Sequence, residues 1–309
     1  MDRRKFIKQG ISAGILAGTA GAGLSRINPA FSINRNKIIT SPYDLVAVRG
    51  GEPDMMFDKG IETLGGIRAY VKKGQTVVVK PNIGWDAVPE RAVNTNPKLL
   101  TRIIQHCLEA GAKDVYMFDH TCDNWNKCYI NSGLQEAARN AGAKVVAGNT
   151  ESYYHEVNNT ETKVLKSLKI HELILESDVF INVPILKHHS STKLTVSMKN
   201  LMGIVWDRRF WHNNNLQQCI AEFPLYRKPD LNVVDAYAIL KRNGPRGVSK
   251  ADVVELKTLI ISSDIVAADA AGTKFFGDEP ERINYIRIAH DMKIGNMNLD
   301  QLNIKRLTV

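Results

Sequence analysis

The chain has 309 residues, of which 44% are hydrophobic and 24% are charged, and it contains four cysteines. This balance supplies a sizeable hydrophobic core, so it excludes intrinsic disorder, a collagen-like repeat and a disulfide-dense scaffold. The formal net charge is +9, but the first 30 residues contribute five basic side chains against one acidic. No block of five or more Lys and Arg occurs, so we expect no nucleic-acid partner. No apolar stretch reaches the roughly 20 residues that a membrane span needs.

The N-terminal residues resemble a twin-arginine export signal. Arg3-Arg4 precedes Phe6, and a weakly apolar run rich in Gly and Ala follows over residues 11–24. Such a signal directs a folded protein to the twin-arginine translocase. We therefore expect residues 1–30 to be a signal peptide, residues 31–43 to be a linker, and the mature protein to be periplasmic. The alternative is a basic N-terminal arm with a short helix.

Beyond this linker, short β-branched runs alternate with segments of helical periodicity. We predict strands over residues 45–48, 76–79, 114–119, 144–147, 179–186, 231–240 and 256–261. Helices are predicted over residues 55–71, 98–110, 132–140, 264–277 and 281–292. The alternation predicts an α/β fold with a mostly parallel sheet covered by helices, in a domain over residues 44–309. Two lobes, about 44–178 and 179–309, would enclose one cleft, and the aperiodic residues 188–230 would form a lid or a ligand-binding insertion.

Polar side chains follow the predicted strands, at the edge where ligands bind in an open parallel sheet. In chain order they are Lys80, Asn82, Asp119, Lys187, His189, Lys199, Asn200 and Asp235. Lysines and asparagines there suit a small anionic ligand, because ammonium and amide groups bind carboxylate or phosphate oxygens. Clustered lysines also lower one another's pKa, which prepares one of them as a base or an imine-forming amine. The alternative is that each lysine ends its strand to remain solvated.

The spacing of the histidines and cysteines does not identify a cofactor. His120 and His188 are candidate metal ligands, and His212 is a candidate ligand-binding residue, but their spacing matches no metal motif. Cys122 and Cys128 either form a local disulfide or stay free. The cysteine spacing does not support an iron–sulfur cluster, so a metal ion is the cofactor that we consider.

Five short motifs together resemble the domain-of-unknown-function 362 family. They are Lys80-Pro81-Asn82, Pro184-x-x-Lys187-x-His189, Lys199-Asn200-x-x-Gly203, Val234-Asp235 and Asn243-Gly244-Pro245. The resemblance covers roughly residues 44–309. It implies export by the twin-arginine route and a fold distantly similar to the lactate racemase group, in which a cleft between two α/β lobes would hold a small hydroxy acid or a cofactor. The chain lacks the ferredoxin-like module of some relatives, and His188 replaces the commoner Thr of that motif.

Three functions fit these observations. The first is an enzyme for a small anionic or carbonyl-bearing molecule, in which Lys187 or Lys199 holds the anion. His189 would then move protons with Asp119 or Asp235. The second is a non-catalytic protein that binds or handles a ligand or cofactor in a periplasmic pathway. The third is a buried structural network at the strand ends. A titratable pair at hydrogen-bond distance favours catalysis, whereas lysines and amides alone favour binding.

Overall fold

The structure, a computed structural model, describes residues 41–309, so the predicted signal peptide and most of the linker lie outside the described residues. The strands are β1 (Leu45–Arg49), β2 (Thr76–Pro81), β3 (Asp114–Met117), β4 (Lys144–Val145), β5 (Tyr154–Asn158), β6 (Ser167–His171), β7 (Val179–Val183), β8 (Ile185–His189), β9 (Lys193–Thr195), β10 (Leu231–Leu240), β11 (Val253–Ser262) and β12 (Ile304–Thr308). The helices are α1 (Pro53–Thr63), α2 (Pro97–Glu109), α3 (Trp125–Asn131), α4 (Leu134–Asn140), α5 (Glu172–Glu176), α6 (Ser197–Asn200), α7 (Arg208–Asn213), α8 (Leu216–Glu222), α9 (Ile265–Phe276) and α10 (Asn284–Asp291).

Ten of the strands form one mixed sheet with the order β12-β1-β11-β10-β7-β2-β3-β4, and β8 and β9 continue it beside β10. The pairs from β10 through β7, β2 and β3 to β4 are all parallel, whereas β11 runs antiparallel to both β1 and β10. Strands β5 and β6 form a separate antiparallel hairpin. The predicted α/β fold with a mostly parallel sheet is therefore confirmed.

Strands from both sides of residue 178 alternate in this sheet. β7 pairs with β2 in parallel, and β11 pairs with β1. Residues 41–309 also lie within one compact unit. The two predicted lobes thus share a single sheet, because their strands are hydrogen-bonded to each other.

Two hydrophobic cores cover the two faces of the sheet. Alternate residues of one strand point to opposite faces, so Val78 packs in one core while Val77 and Val79 pack in the other. The amphipathic helix α2 covers the second core with five fully buried side chains, which are Leu99, Leu100, Ile103, Ile104 and Cys107. The helices cover both faces, and the polar residues at the ends of β2 and β8 and just after β3 are left to meet at one edge. Within residues 41–309, every helix is too short or too polar to cross a bilayer.

The stretch 188–230, predicted to be irregular, consists mainly of short capped elements. Asp207 accepts a hydrogen bond from the backbone N–H of Phe210 at the start of α7, and Asn215 does the same for Gln218 in α8. Trp211 is buried in the core, whereas Phe210 is 39% exposed. The short helices escape periodicity analysis because each has fewer than two turns.

Candidate functional site

A buried ion pair joins the ends of two neighbouring strands. Lys80 is the penultimate residue of β2, and Asp119 lies two residues beyond β3. The Lys80 Nζ lies 2.8 Å from Asp119 Oδ1, and both side chains are almost inaccessible to solvent. Asp119 Oδ2 accepts a further hydrogen bond from the N–H of Ile83 at 2.6 Å. Burial lowers the pKa of Lys80, and the carboxylate of Asp119 opposes that shift.

Gly203 explains the spacing of the Lys199-Asn200-x-x-Gly203 motif. After α6, one 3₁₀ turn brings Gly203 against the ion pair. A Cβ at this position would overlap Asp119 Oδ1 and lie 2.7 Å from Lys80 Nζ. The carbonyl of Gly203 also accepts the N–H of His120 at 2.9 Å. Only glycine lets the backbone approach the ion pair this closely.

Four asparagine amides form one directional chain from this edge into the sheet. Asn82 Nδ2 donates to Asn200 Oδ1 at 2.8 Å, and Asn200 Nδ2 donates to Asn182 Oδ1 at 2.9 Å. Asn182 Nδ2 then donates to Asn232 Oδ1 at 3.0 Å, and Asn232 Nδ2 donates to the Ser262 carbonyl at 3.3 Å. Asn200 Oδ1 also accepts from Lys80. The sequence analysis found Asn82 and Asn200 but missed Asn182 and Asn232, which lie inside strongly apolar strands.

Lys187 begins this chain. Its Nζ donates to Asn82 Oδ1 at 2.8 Å and to the carbonyl of Val93. The side chain is 2% exposed, and burial lowers its pKa to about 7. Lys199 and Lys80 lower that pKa further, as predicted for clustered lysines, although burial is the larger cause.

Lys199 is held in a different way. It is 8% exposed, and its Nζ contacts Met202 Sδ at 3.0 Å. Burial lowers its pKa to about 8, and Arg208 contributes in the same direction. Among residues 41–309, no carboxylate lies within 4.0 Å of the Nζ of Lys187 or Lys199. We call the ammonium groups of Lys80, Lys187 and Lys199 the amine cluster; among the described residues, Asp119 is the one carboxylate paired with it.

Two neighbours of the amine cluster were missed as site residues. Arg208, at the start of α7, donates to the carbonyls of His120 and Thr121 at 2.7 Å each, and its Nη1 lies 3.5 Å from Cys122 Sγ. The exposed sulfur of Cys122 is close enough to oppose the lowering of the lysine pKa values by burial. Cys122 follows Asp119 by three residues, so the sequence analysis could have identified it as a site residue from its position after β3.

The cysteines do not form the disulfide that was one alternative. Cys122 and Cys128 are both free thiols; Cys122 is exposed, whereas Cys128 is buried with its sulfur near the carbonyl of Gly84. The thiol of Cys122 is therefore left beside the amine cluster.

His189 is a neutral hydrogen-bond donor in this arrangement. Its Nδ1 accepts the N–H of Ser191 at 3.1 Å, which leaves the proton on Nε2. Burial, helped by Lys199 and Lys187, lowers the pKa of His189 to about 2. The exposed His212 also has a lowered pKa, mainly through desolvation and then through Lys199.

The carboxylate of Asp235 is hydrogen-bonded to backbone N–H groups and not to His189. Its carboxylate accepts the N–H of Asn96, the residue before α2, at 2.7 Å, and the N–H of Tyr237 at 3.1 Å. Burial raises its pKa to about 6. Within residues 41–309, no hydrogen bond joins His189 to Asp119 or Asp235. The structure therefore does not assemble the predicted proton-transfer pair, because Lys80 holds one carboxylate and backbone N–H groups hold the other.

The predicted metal ligands lie apart. His120 Nδ1 donates to the Val205 carbonyl at 3.1 Å, and its ring stacks on Trp206 with centroids 5.1 Å apart. His188 Nδ1 accepts the N–H of Gly244 at 3.0 Å. In the described part of the chain, no group of three His, Cys, Asp or Glu side chains is arranged to hold a metal ion. These residues therefore do not fit a metal centre.

A cavity of about 890 Å³ lies beside this site. Its lining residues include His120, Lys169, Trp206, Arg208 and Phe210, and it does not include the three lysines. Residues 205–211, part of the stretch 188–230 that was predicted to form a lid or a ligand-binding insertion, therefore line a neighbouring groove, and Arg208 belongs to both places.

The fold and this edge define an α/β protein with a buried cluster of lysines at the carboxyl ends of parallel strands. A family model described as "Domain of unknown function (DUF362)" matches residues 77–274, and the chain belongs to that family. A thylakoid-associated protein of Synechocystis sp. is 26% identical over 231 residues, which cover 72% of this chain and 70% of the relative.

Two solved structures are more distant. The lactate racemase apoprotein from Thermoanaerobacterium thermosaccharolyticum has a TM-score of 0.46 at 12% identity, and the match covers 74% of this chain. A protein from Thermotoga maritima has a TM-score of 0.45 at 12% identity over 78% of this chain. This chain spans 56% of the racemase and 60% of the Thermotoga protein.

Proposed function

We propose that this chain is an enzyme that acts on a small anionic, carbonyl-bearing molecule at the amine cluster. The observation that carries the proposal is a set of three buried ammonium groups paired with one carboxylate. Unpaired buried charge is costly, so the site favours a ligand that brings its own negative charge. A carboxylate on the substrate supplies that charge.

Lys187 and Lys199 take different roles in this proposal. Lys187 already donates two hydrogen bonds, so it is held in place to bind the carboxylate with its third N–H. Among residues 41–309, the one hydrogen-bond partner of Lys199 Nζ is a thioether, and a pKa of about 8 gives the amine a substantial neutral fraction near neutrality. Its amine adds to the carbonyl carbon, water leaves, and a C=N bond forms. The Nε2–H of His189 is a donor for the carbonyl oxygen.

Reductive trapping tests this chemistry. The protein is incubated with a 2-oxo acid and cyanoborohydride, and the labelled lysine is located by peptide mass spectrometry. We expect Lys199 to be labelled, with a rate that rises with pH towards about 8 as the amine loses its proton. Lys199→Met removes this label. The control Lys193→Met, at an exposed residue of β9, retains it. Labelling spread over surface lysines alone contradicts the proposal.

A second candidate function is binding without catalysis. The observation in its favour is that lysines and amides surround the site while His189 lacks a carboxylate partner among the described residues. Calorimetry with a hydroxy acid and the matching 2-oxo acid separates the two functions. Equal affinities, lost in Lys187→Met and accompanied by no trapped product, support a binding protein.

We also propose export by the twin-arginine route, which the Arg3-Arg4 pair and the weakly apolar run after it support. Replacing both arginines with lysine keeps the charge but removes the paired guanidinium groups. The expected result is full-length precursor in the cytoplasm, measured by fractionation and blotting. Periplasmic accumulation of the double variant contradicts this proposal, and a variant at Arg26 alone is the control that should still be exported.

A further inference from the structure

We propose that Cys122 is a covalent capture point of this site, a nucleophilic thiol that reacts preferentially with small anionic electrophiles drawn in by the amine cluster. The inference rests on the proposed function, because it uses the same anion site. It adds a second nucleophile and a class of reagent that the lysine chemistry does not include.

The exposure of Cys122 makes its thiol available. It is the exposed one of the four cysteines, whereas Cys107, Cys128 and Cys219 are buried. Its backbone also lies at the site: the N–H of Cys122 donates to the carbonyl of Gly84 at 2.8 Å, and a Cβ on Gly84 would lie 4.0 Å from Lys187 Nζ. In agreement with this placement, Cys122 raises the pKa of Lys187 and Lys199. The thiol of Cys122 is thus both open to solvent and within electrostatic range of the amine cluster.

Arg208 is positioned to assist the reaction. Its two terminal nitrogens are fixed by the carbonyls of His120 and Thr121, and this holds Nη1 3.5 Å from Cys122 Sγ. A fixed guanidinium beside the sulfur attracts the anionic group of a reagent and so concentrates the reagent at the thiol. Among residues 41–309, Arg208 has no carboxylate partner within 4.0 Å that would neutralise it.

Lys199 gives an independent reason to expect an anion there. Its side chain is more than nine-tenths buried, and its ammonium contacts a sulfur in place of an oxygen acceptor. Among residues 41–309, this weak thioether acceptor is its one hydrogen-bond partner, so the other N–H groups of the buried ammonium favour a bound anion. The carboxylate of an electrophile, bound by Lys187 as proposed for the substrate, brings this negative charge to the amine cluster, and the reagent is then held near Cys122.

The capture step is a simple displacement or exchange. With an alkylating agent, the sulfur forms a C–S bond, the bond from carbon to the leaving group breaks, and the leaving group departs with the electron pair. The thiol proton passes to solvent. With an anionic disulfide, the sulfur forms a mixed disulfide and releases one thiolate. The adduct leaves its carboxylate at the amine cluster, so capture blocks the site for substrate.

Competing alkylation tests the inference. The folded protein is treated with iodoacetate or iodoacetamide, and the rate at Cys122 is followed by mass spectrometry against N-acetylcysteine as reference. Relative to this reference, we expect the iodoacetate-to-iodoacetamide rate ratio to be about tenfold higher, since a fixed cationic site concentrates an anion. The ratio should fall towards the reference in 1 M salt, which screens the cations.

Variants and controls assign the selectivity. Lys199→Met and Arg208→Ala should each lower the rate ratio, and the control Lys193→Met should not. The salt dependence uses the unaltered chain, so the test stands even if a variant fails to fold. A ratio equal to that of N-acetylcysteine overturns the inference. Selective alkylation of Cys122 without imine trapping at Lys199 supports this inference and contradicts the proposed carbonyl chemistry. Imine trapping without selective alkylation supports the carbonyl chemistry and contradicts this inference.

Discussion

At the scale of single residues, Gly203 is the position where one methyl group decides whether the site forms. Gly203→Ala places a Cβ onto Asp119 Oδ1 and next to Lys80 Nζ, which forces the buried ion pair apart. We expect a loss of about 1–3 kcal/mol in the free energy of unfolding, as for other overpacked cores. Urea unfolding measures it. The control Gly84→Ala has room, because its Cβ would lie 3.7 Å from the nearest atom. Equal stability of both variants contradicts the argument.

The sequence predicted site residues where a polar side chain follows an apolar strand. Lys80, Asn82 and Lys187 were found in this way, and the structure brings them together. Asn182 and Asn232 could not be found, because a polar residue inside a buried strand shows no partner until the neighbouring strand is known. Arg208 was missed for a related reason: it lies on a six-residue helix, and only the tertiary fold brings it to Cys122.

At the scale of elements, the short helix α6 depends on a carboxylate from another helix. Asp269 of α9 is fully buried and accepts the N–H of Ser197 at 2.6 Å and of Met198 at 3.1 Å. These bonds hold the start of the helix that carries Lys199 and Asn200. Four residues make too few internal hydrogen bonds to be stable alone, so the anchor sets where α6 lies.

Replacing this anchor should loosen α6. Asp269→Asn keeps the size of the side chain but replaces one of its two accepting oxygens with an NH2 group. This group donates hydrogen bonds, so it cannot accept the second backbone N–H of α6. We expect faster amide hydrogen exchange in peptides covering residues 197–204 and unchanged exchange in α2. Asp300→Asn, at an exposed turn, is the matched control. Unchanged exchange over residues 197–204 would show that α6 is held by its apolar packing instead.

Periodicity predicted the long elements and missed the short or edge ones. β1, β2, β10 and α2 were predicted within a few residues because their burial patterns are regular over their whole length. The predicted strand 179–186 is instead β7 and β8, because Pro184 has no N–H to donate to the ladder. The edge strand β12 and strand β5 carry polar residues on both faces, and β6 has only Leu168 and Ile170 on its apolar face, so none of these strands shows an apolar run.

At the scale of the whole molecule, buried carboxyl and amino groups change stability with pH in opposite directions. Asp235 and Asp269 titrate at about 6 and 7 instead of 3.8, so the folded chain keeps their protons where the unfolded chain has lost them. Their contribution to stability therefore falls between about pH 4 and 7. Lys187 and Lys199 titrate at about 7 and 8 instead of 10.5, so the unfolded chain binds more protons above pH 7 and their contribution rises up to about pH 10.

We therefore expect the contribution of these groups to pass through a minimum near pH 7–8. Each group changes the free energy of unfolding by at most about 1.4 kcal/mol per pH unit. Two buried histidines, His171 and His189, titrate at about 3 and 2 instead of 6.5, so their contribution rises towards pH 6.5 and opposes that of the carboxyl groups. Urea unfolding of the unaltered chain and of single variants at pH 5, 7.5 and 9.5 isolates each contribution as a difference between two profiles. Asp269→Asn should flatten the acid side and Lys199→Met the alkaline side, and a bound carboxylate should raise stability most below about pH 7, where both lysines are charged. Identical pH profiles for the two variants and the unaltered chain contradict this account.

The chain of asparagine amides has a fixed sense. The carbonyl of Ser262 can only accept and the ammonium of Lys187 can only donate, so both ends impose the same orientation on every amide between them. No single amide can rotate by 180° without placing like groups against both neighbours; all four would have to turn over together. The oxygen of Asn82 that faces Lys187 is therefore oriented from as far away as β11, and this row of aligned dipoles behaves as one rigid part with a built-in polarity.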